Sequence, residues 1–233
     1  MEAQDRITIT ICGDGGCGKS SITLRLVRSE WTSDYDPTIE DSYSVTRSID
    51  GHSYHLMLTD TAGQEEYRGL WAASNLQSDA FLLVYDITSP SSLDALDYFM
   101  EMITMETETR LDNNGIPPVK IVAANKCDLQ TLRAIDAKTG LEWARARGCG
   151  FMETSARDMV NIEETFALLV RRVAEARANA GRAQPATTAY PHTPQLAEQG
   201  AGGEKAGRAG ESARAGDDEA ADKDGFWSRL RCW

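Results

Sequence analysis

The 233-residue chain lacks several features, and each absence narrows what it can be. No stretch approaches the roughly 20 consecutive apolar residues that cross a bilayer as a helix. The start, Met1-Glu2-Ala3-Gln4-Asp5, has no basic stretch leading into an apolar run, so no secretory leader is expected. Cysteine is scarce: Cys12, Cys17, Cys127, Cys149 and Cys232 are odd in number and scattered, with no pair at zinc-ligand spacing. That pattern excludes a disulfide-stapled secreted fold and fits free thiols in a reducing compartment. Cations are in deficit, 24 Lys and Arg against 36 Asp and Glu. The formal charge of −12 excludes bulk electrostatic attraction to a nucleic-acid polymer. A cytoplasmic protein is the expectation.

Large aliphatic side chains also become rare beyond about Arg177. From 178 to 233, Ala, Gly, Pro and charged residues dominate with no sustained period. Such a segment buries too little apolar area to offset its ordering entropy, so it reads as a low-complexity disordered tail. Residues 5–177 instead alternate strand and helix signals. Ile7, Ile9 and Ile11 alternate with threonines, and 45–49 and 54–58 flank the hairpin pair Asp50-Gly51. The runs 80–87 and 119–124 are continuously apolar, as in strands covered on both faces. Helical spacing groups Leu93, Leu96, Phe99, Met100 and Ile103, and again Ile162, Phe166, Leu169, Val170 and Val173, with Asn161 and Glu164 placed for a capping box. The expected fold is α/β: a mostly parallel central sheet with helices on both faces, its ligand at the carboxyl ends of the strands.

The first motif falls there. Gly13-Asp14-Gly15-Gly16-Cys17-Gly18-Lys19-Ser20 follows the first strand and matches G-x-x-x-x-G-K-[ST]. The glycines let consecutive N–H groups turn inward onto phosphate oxygens, and the following helix adds its positive dipole end. Lys19 is placed to neutralise the β- and γ-phosphates, and the Ser20 hydroxyl to ligate Mg²⁺. Asn125-Lys126-Cys127-Asp128 follows the strand 119–124. A carboxylate only accepts, so Asp128 can take both N–H donors of guanine's Watson–Crick edge and would repel the ring acceptor of adenine. Thr154-Ser155-Ala156 closes another short strand and can offer backbone N–H groups to the guanine oxygen.

Asp60-Thr61-Ala62-Gly63-Gln64 ends the strand 54–58. There Asp60 can hold Mg²⁺ through its shell, the Gly63 N–H can reach a γ-phosphate, and Gln64 can orient an attacking water. Thr38 can join Mg²⁺ while GTP is present.

In this order and spacing the motifs resemble the Ras family of small GTPases over roughly residues 5–177. The likeness implies a P-loop G domain that binds GTP and GDP with Mg²⁺, hydrolyses GTP slowly, and acts as a switch. It implies an effector loop, Tyr35, Asp36, Pro37, Thr38, Ile39, Glu40, Asp41, Ser42 and Tyr43, and a second switch over 60–67. By the same likeness Gly15 and Gly16 are glycines whose replacement blocks hydrolysis, Trp31 lies across the guanine, and Tyr35 closes over the nucleotide. The nucleotide contacts extend to Ser21, Pro37 and Leu129. The implied partners are a GTPase-activating protein, an exchange factor and Ras-type effectors. The sequence departs from the family at Asp14 and Cys17, where small apolar residues are usual, and in a longer segment 105–118, read as an extended surface loop. The end, Arg231-Cys232-Trp233, carries no prenylation box.

No arginine lies between Trp31 and Thr38, so none is offered in cis from the first switch, and intrinsic turnover is expected to be slow and accelerated by a partner's arginine. Residues 179–233 carry seven basic and eight acidic side chains, which is no polybasic anchor. The stretch 225–233 interleaves bulky apolar residues with Arg229 and Arg231. It suits peripheral contact with the cytoplasmic face of the plasma membrane, with Cys232 the candidate for acylation. Two other readings stand beside the switch: a nucleotide-locked scaffold, supported only by Asp14 and opposed by Gln64, and an ATP-using P-loop kinase, disfavoured by Asn125-Lys126-Cys127-Asp128.

Overall fold

A computed structural model of the chain describes residues 5–30, 40–61 and 76–183. Among these, six strands form one sheet: β1 Asp5–Gly13, β2 Glu40–Ile49, β3 His52–Thr61, β4 Ala80–Asp86, β5 Val119–Asn125 and β6 Gly150–Glu153, in the order β2-β3-β1-β4-β5-β6. Only β2 and β3 pair antiparallel, joined through Asp50 and Gly51, both at positive φ (52° and 82°), as a two-residue hairpin demands. The other neighbours are parallel, and among the described residues helices stand in the connections β1–β2, β4–β5 and β5–β6, packed on both faces of the sheet.

The helices are α1 Lys19–Arg28, α2 Pro90–Asp94, α3 Leu96–Asp112, α4 Ala137–Ala146 and α5 Ile162–Ala183. Strand alternation sorts them. Ile7, Ile9 and Ile11 join Ala80, Leu82 and Val84 on one face, against Ile22 and Leu26 of α1 and Ile162, Phe166, Leu169, Val170 and Val173 of α5. Phe81, Leu83 and Tyr85 point to the other face, against Leu93, Leu96, Phe99, Met100 and Ile103. Every residue of β4 is buried, which is why its sequence shows no alternation of polarity. The expected fold class and both helix faces are as observed.

Three local expectations need correction. The segment 105–118 is not an extended loop: α3 runs to Asp112, and only 113–118 connects it to β5. Apolar periodicity fades there, yet Glu106 and Arg110 pair one turn apart (2.7 Å), and the Thr104, Thr107 and Thr109 hydroxyls donate to carbonyls four residues back. The helix stops at Asn114, in the left-handed region (φ 55°), where Gly115 N–H returns to the Arg110 carbonyl at 2.7 Å. Second, residues 178–183 belong to α5, not to the tail. Alanine and arginine are good helix formers, and extending a helix already docked on the sheet costs little. Third, the capping box expected of Asn161 and Glu164 is not among the hydrogen bonds of the described residues: at φ 54° the Asn161 side-chain amide donates instead to the Glu153 carbonyl at 2.8 Å.

A polar seam closes the end of the sheet away from the motifs. Asp79 accepts from the Thr8 amide and hydroxyl, both at 2.8 Å, and from Arg177 at 2.9 Å, tying β1, the start of β4 and the end of α5 together. The opposite end, where β1, β3, β4 and β5 finish, is where the candidate site lies.

Candidate functional site

The glycine-rich turn connects β1 to α1. Gly13 runs so close to β4 that a Cβ would lie 2.1 Å from the Val84 carbonyl oxygen. Gly18, at φ +96°, caps α1, and a Cβ there would lie 2.3 Å from the Asn125 amide nitrogen. Both positions therefore exclude a side chain. Gly15 and Gly16 are exposed at the crest of the turn. Cys17 points inward into the core beneath α1 (1% exposed), where burial raises its pKa and it packs as a small apolar group. No acidic residue stands in the first turn of α1, so the positive end of the helix, with Ser20 and Ser21, is uncompensated from its own side chains.

Lys19 is buried (5% exposed), and its ammonium donates to the Asp14 carbonyl at 2.9 Å, which holds the charge over the turn. An ammonium has three donors, so this bond does not exhaust it. Asp60, in register with Ile11 of β1 and Asp41 of β2, is fully buried. Burial pushes its carboxyl pKa up to about 6, opposed by the Ser20 hydroxyl and the Lys19 charge. The hydroxyl is near enough to favour the ionised form, yet neither carboxylate oxygen completes a hydrogen bond among the described residues. A buried carboxylate left in this way is expensive unless a cation meets it.

Asn125, at the end of β5, joins the two motifs. Its amide donates to the Cys17 carbonyl at 2.9 Å, and its carbonyl oxygen accepts from the Thr154 hydroxyl (3.3 Å) and the Ala156 N–H (3.4 Å). Lys126 is held in the left-handed region (φ 63°), its ammonium 2.7 Å from Asp86, whose other oxygen accepts from the Thr88 amide and hydroxyl. Asp128 is nearly buried and accepts from the Ser155 hydroxyl at 2.6 Å. Ser155 Oγ in turn accepts from the Asp158 N–H, so the carboxylate is fixed in direction. Leu129 N–H turns back to the Lys126 carbonyl at 2.9 Å.

The 154–156 loop narrows an earlier expectation. Thr154 N–H is committed to the Ala124 carbonyl (2.9 Å) and Ser155 N–H to Val160 (3.1 Å). Of these three amides, Ala156 alone has no backbone acceptor among those bonds, only the long contact to Asn125, so it is the one placed to address a guanine oxygen.

The structure thus gathers Gly13, Asp14, Gly15, Gly16, Cys17, Gly18, Lys19, Ser20, Ser21, Asp60, Asn125, Lys126, Asp128, Leu129, Ser155 and Ala156 at one end of the sheet. Asp41, Ser42 and Tyr43 lie on β2, where the Tyr43 hydroxyl donates to Asp41 at 3.3 Å. Trp31, Tyr35, Asp36, Pro37, Thr38, Ile39, Gly63, Gln64 and Cys232, and the side chain of Glu40, lie outside the described residues. Sequence reasoning missed Asp86 and Thr88, which anchor Lys126. An acidic residue closing a buried strand, two before a threonine, was the available signal. A model of the Ras family matches residues 8–175.

Proposed function

Since the chain belongs to the Ras family of GTP-binding P-loop GTPases, we propose that it is a molecular switch that binds GTP with Mg²⁺, hydrolyses it slowly to GDP and phosphate, and engages effectors through 35–43 in the GTP state. One observation carries this reading furthest. The Asn125 side chain bonds both the phosphate turn, at Cys17, and the loop of Ala156, so a single ligand long enough to span phosphate and base would meet both at once.

At the base, both oxygens of Asp128 face the two guanine N–H donors while Ser155 holds the carboxylate, and the Ala156 N–H meets the guanine oxygen. At the phosphates, Lys19 and the turn amides take the β- and γ-oxygens. Mg²⁺ fits this donor set: Asp60 offers buried oxygens that complete no hydrogen bond among the described residues, beside the Ser20 hydroxyl, and these two with Thr38 would hold it. When bound, it neutralises charge on the β- and γ-phosphates. Gln64 orients the attacking water, Gly63 donates to the γ-phosphate, and a partner's arginine completes the charge neutralisation. Loss of the γ-phosphate releases Thr38 and Gly63, which is the switch.

Signalling partners follow from this cycle: an exchange factor, a GTPase-activating protein and Ras-type effectors. The protein works in the cytoplasm, and the segment 225–233, with Cys232 as its acylation candidate, brings it to the inner face of the plasma membrane. Single-turnover phosphate release from preloaded GTP tests the catalytic assignment. Gln64→Leu is expected to keep GTP affinity and to slow release by about 10-fold or more, and an unchanged rate would remove Gln64 from the mechanism.

A further inference from the structure

Arg25 lies in the middle of α1, outside every motif, yet its guanidinium uses all three nitrogens on backbone carbonyls. Nε donates to Ala156 O, Nη2 to Arg157 O and Nη1 to Ser29 O, each at 2.9 Å. Two of these acceptors belong to the loop whose Ala156 N–H addresses the base. The third is the residue that caps α1, whose own N–H returns to the Arg25 carbonyl at 3.1 Å. The peptide groups on both sides of Ala156 are thereby fixed, one by Asn125 and the other by Arg25. The contact to Asn125 is long (3.4 Å), so the shorter bonds from Arg25 dominate the placement of this turn.

We propose that Arg25 is a positioning residue of the guanine end: by clamping the Ala156–Arg157 backbone onto α1 it sets how long the nucleotide stays bound. The inference rests on the guanine site proposed above and goes beyond it. Helix α1 begins at Lys19 and Ser20, so one rigid element holds the phosphates by its N-terminus and the base loop by a side chain less than two turns on. Two independent motifs are thus kept at one spacing. A planar fork is what three converging carbonyls require, and lysine, a point donor on a flexible stem, satisfies one at a time.

The test follows release of a fluorescent GDP analogue from the full chain, at fixed Mg²⁺, with excess unlabelled GDP. Arg25→Ala is expected to release GDP about 10- to 100-fold faster, as loss of charge-assisted bonds of this kind implies, and Arg25→Lys to fall between. Single-turnover hydrolysis of preloaded GTP is expected to change by less than about twofold, because the residue does not act on the phosphates. Arg28→Ala, which removes a cation one turn on without touching 154–157, is expected to release at the wild-type rate. The diphosphate of 6-thioguanosine keeps both N–H donors for Asp128 and carries a weakly accepting sulfur where Ala156 addresses oxygen. For this probe, wild type and Arg25→Ala are expected to release within about twofold of each other. Equal GDP release in wild type and both Arg25 variants overturns the inference and leaves the guanine site standing. Equal acceleration for both nucleotides overturns it too, since that marks general loosening. A wild-type protein that holds no guanine nucleotide overturns both readings. If Arg25→Ala does not fold, Arg25→Lys with the two nucleotides decides the matter alone.

Discussion

At the phosphate end the site is backbone, bent where only glycine fits, with one ammonium laid over it; at the base end it is side chains, each held in direction by another. Gly13 and Gly18 leave no room for a Cβ, whereas Asp128, Lys126 and Asn125 each have a named partner that aims them. The two constructions suit their ligands. Phosphate oxygens are many and equivalent, so a ring of N–H groups serves without choosing among them. A base edge is a fixed pattern of donors and acceptors, and reading it requires acceptors that cannot rotate away.

If the ends are built this differently, they should fail differently. The largest effect is expected at their junction. Gly18→Val puts a side chain 2.3 Å from the Asn125 amide at a backbone angle that L residues rarely adopt. It is expected to cost about 2–4 kcal/mol of stability and to abolish nucleotide retention, seen together in denaturant unfolding and filter binding. Asp128→Asn comes next, confined to the base end. It is expected to weaken GTP by about 1.5–3 kcal/mol and to favour xanthosine triphosphate, whose extra carbonyl oxygen accepts from the new amide. Its Mg²⁺ dependence should match wild type. A loss of magnesium response in this variant would show that the ends are not separable.

The smallest effect has the opposite sign. The folded state raises the Asp60 carboxyl from 3.8 to about 6, so above that pH it holds an ionised group in a place that disfavours it. Asp60→Asn is expected to stabilise the nucleotide-free, metal-free protein by about 1–3 kcal/mol at pH 7.5 while weakening magnesium-dependent GTP binding. Because protonation removes the penalty in wild type, the gap between variant and wild type should shrink as the pH falls through 6. A gap that grows on acidification would contradict this.

Much of this was legible in the chain itself because it is local. Ile7, Ile9 and Ile11, the unbroken run of β4 and the glycine-to-lysine spacing state their structures within a few residues, and the Asn125–Asp128 tetrapeptide follows its strand directly. What escaped reading was set by partners far along the chain or by helix-forming residues without apolar spacing. Arg25 meets Ala156 across 131 residues and Arg110 meets Leu76 across 34; no pattern in either neighbourhood announces the pairing. The last turns of α3 and α5 carry threonine, glutamate, alanine and arginine. These extend a helix without marking a face, so the periodicity that revealed the core side stopped before the helices did.

Competition between GTP and ATP for the purified, magnesium-loaded protein, read with a fluorescent GDP analogue, puts the two-ended grip under the most direct strain. The account predicts a guanine preference of about 100-fold or more, lost in Asp128→Asn and dependent on Mg²⁺ throughout. Equal affinity for the two triphosphates in the wild-type protein would contradict it.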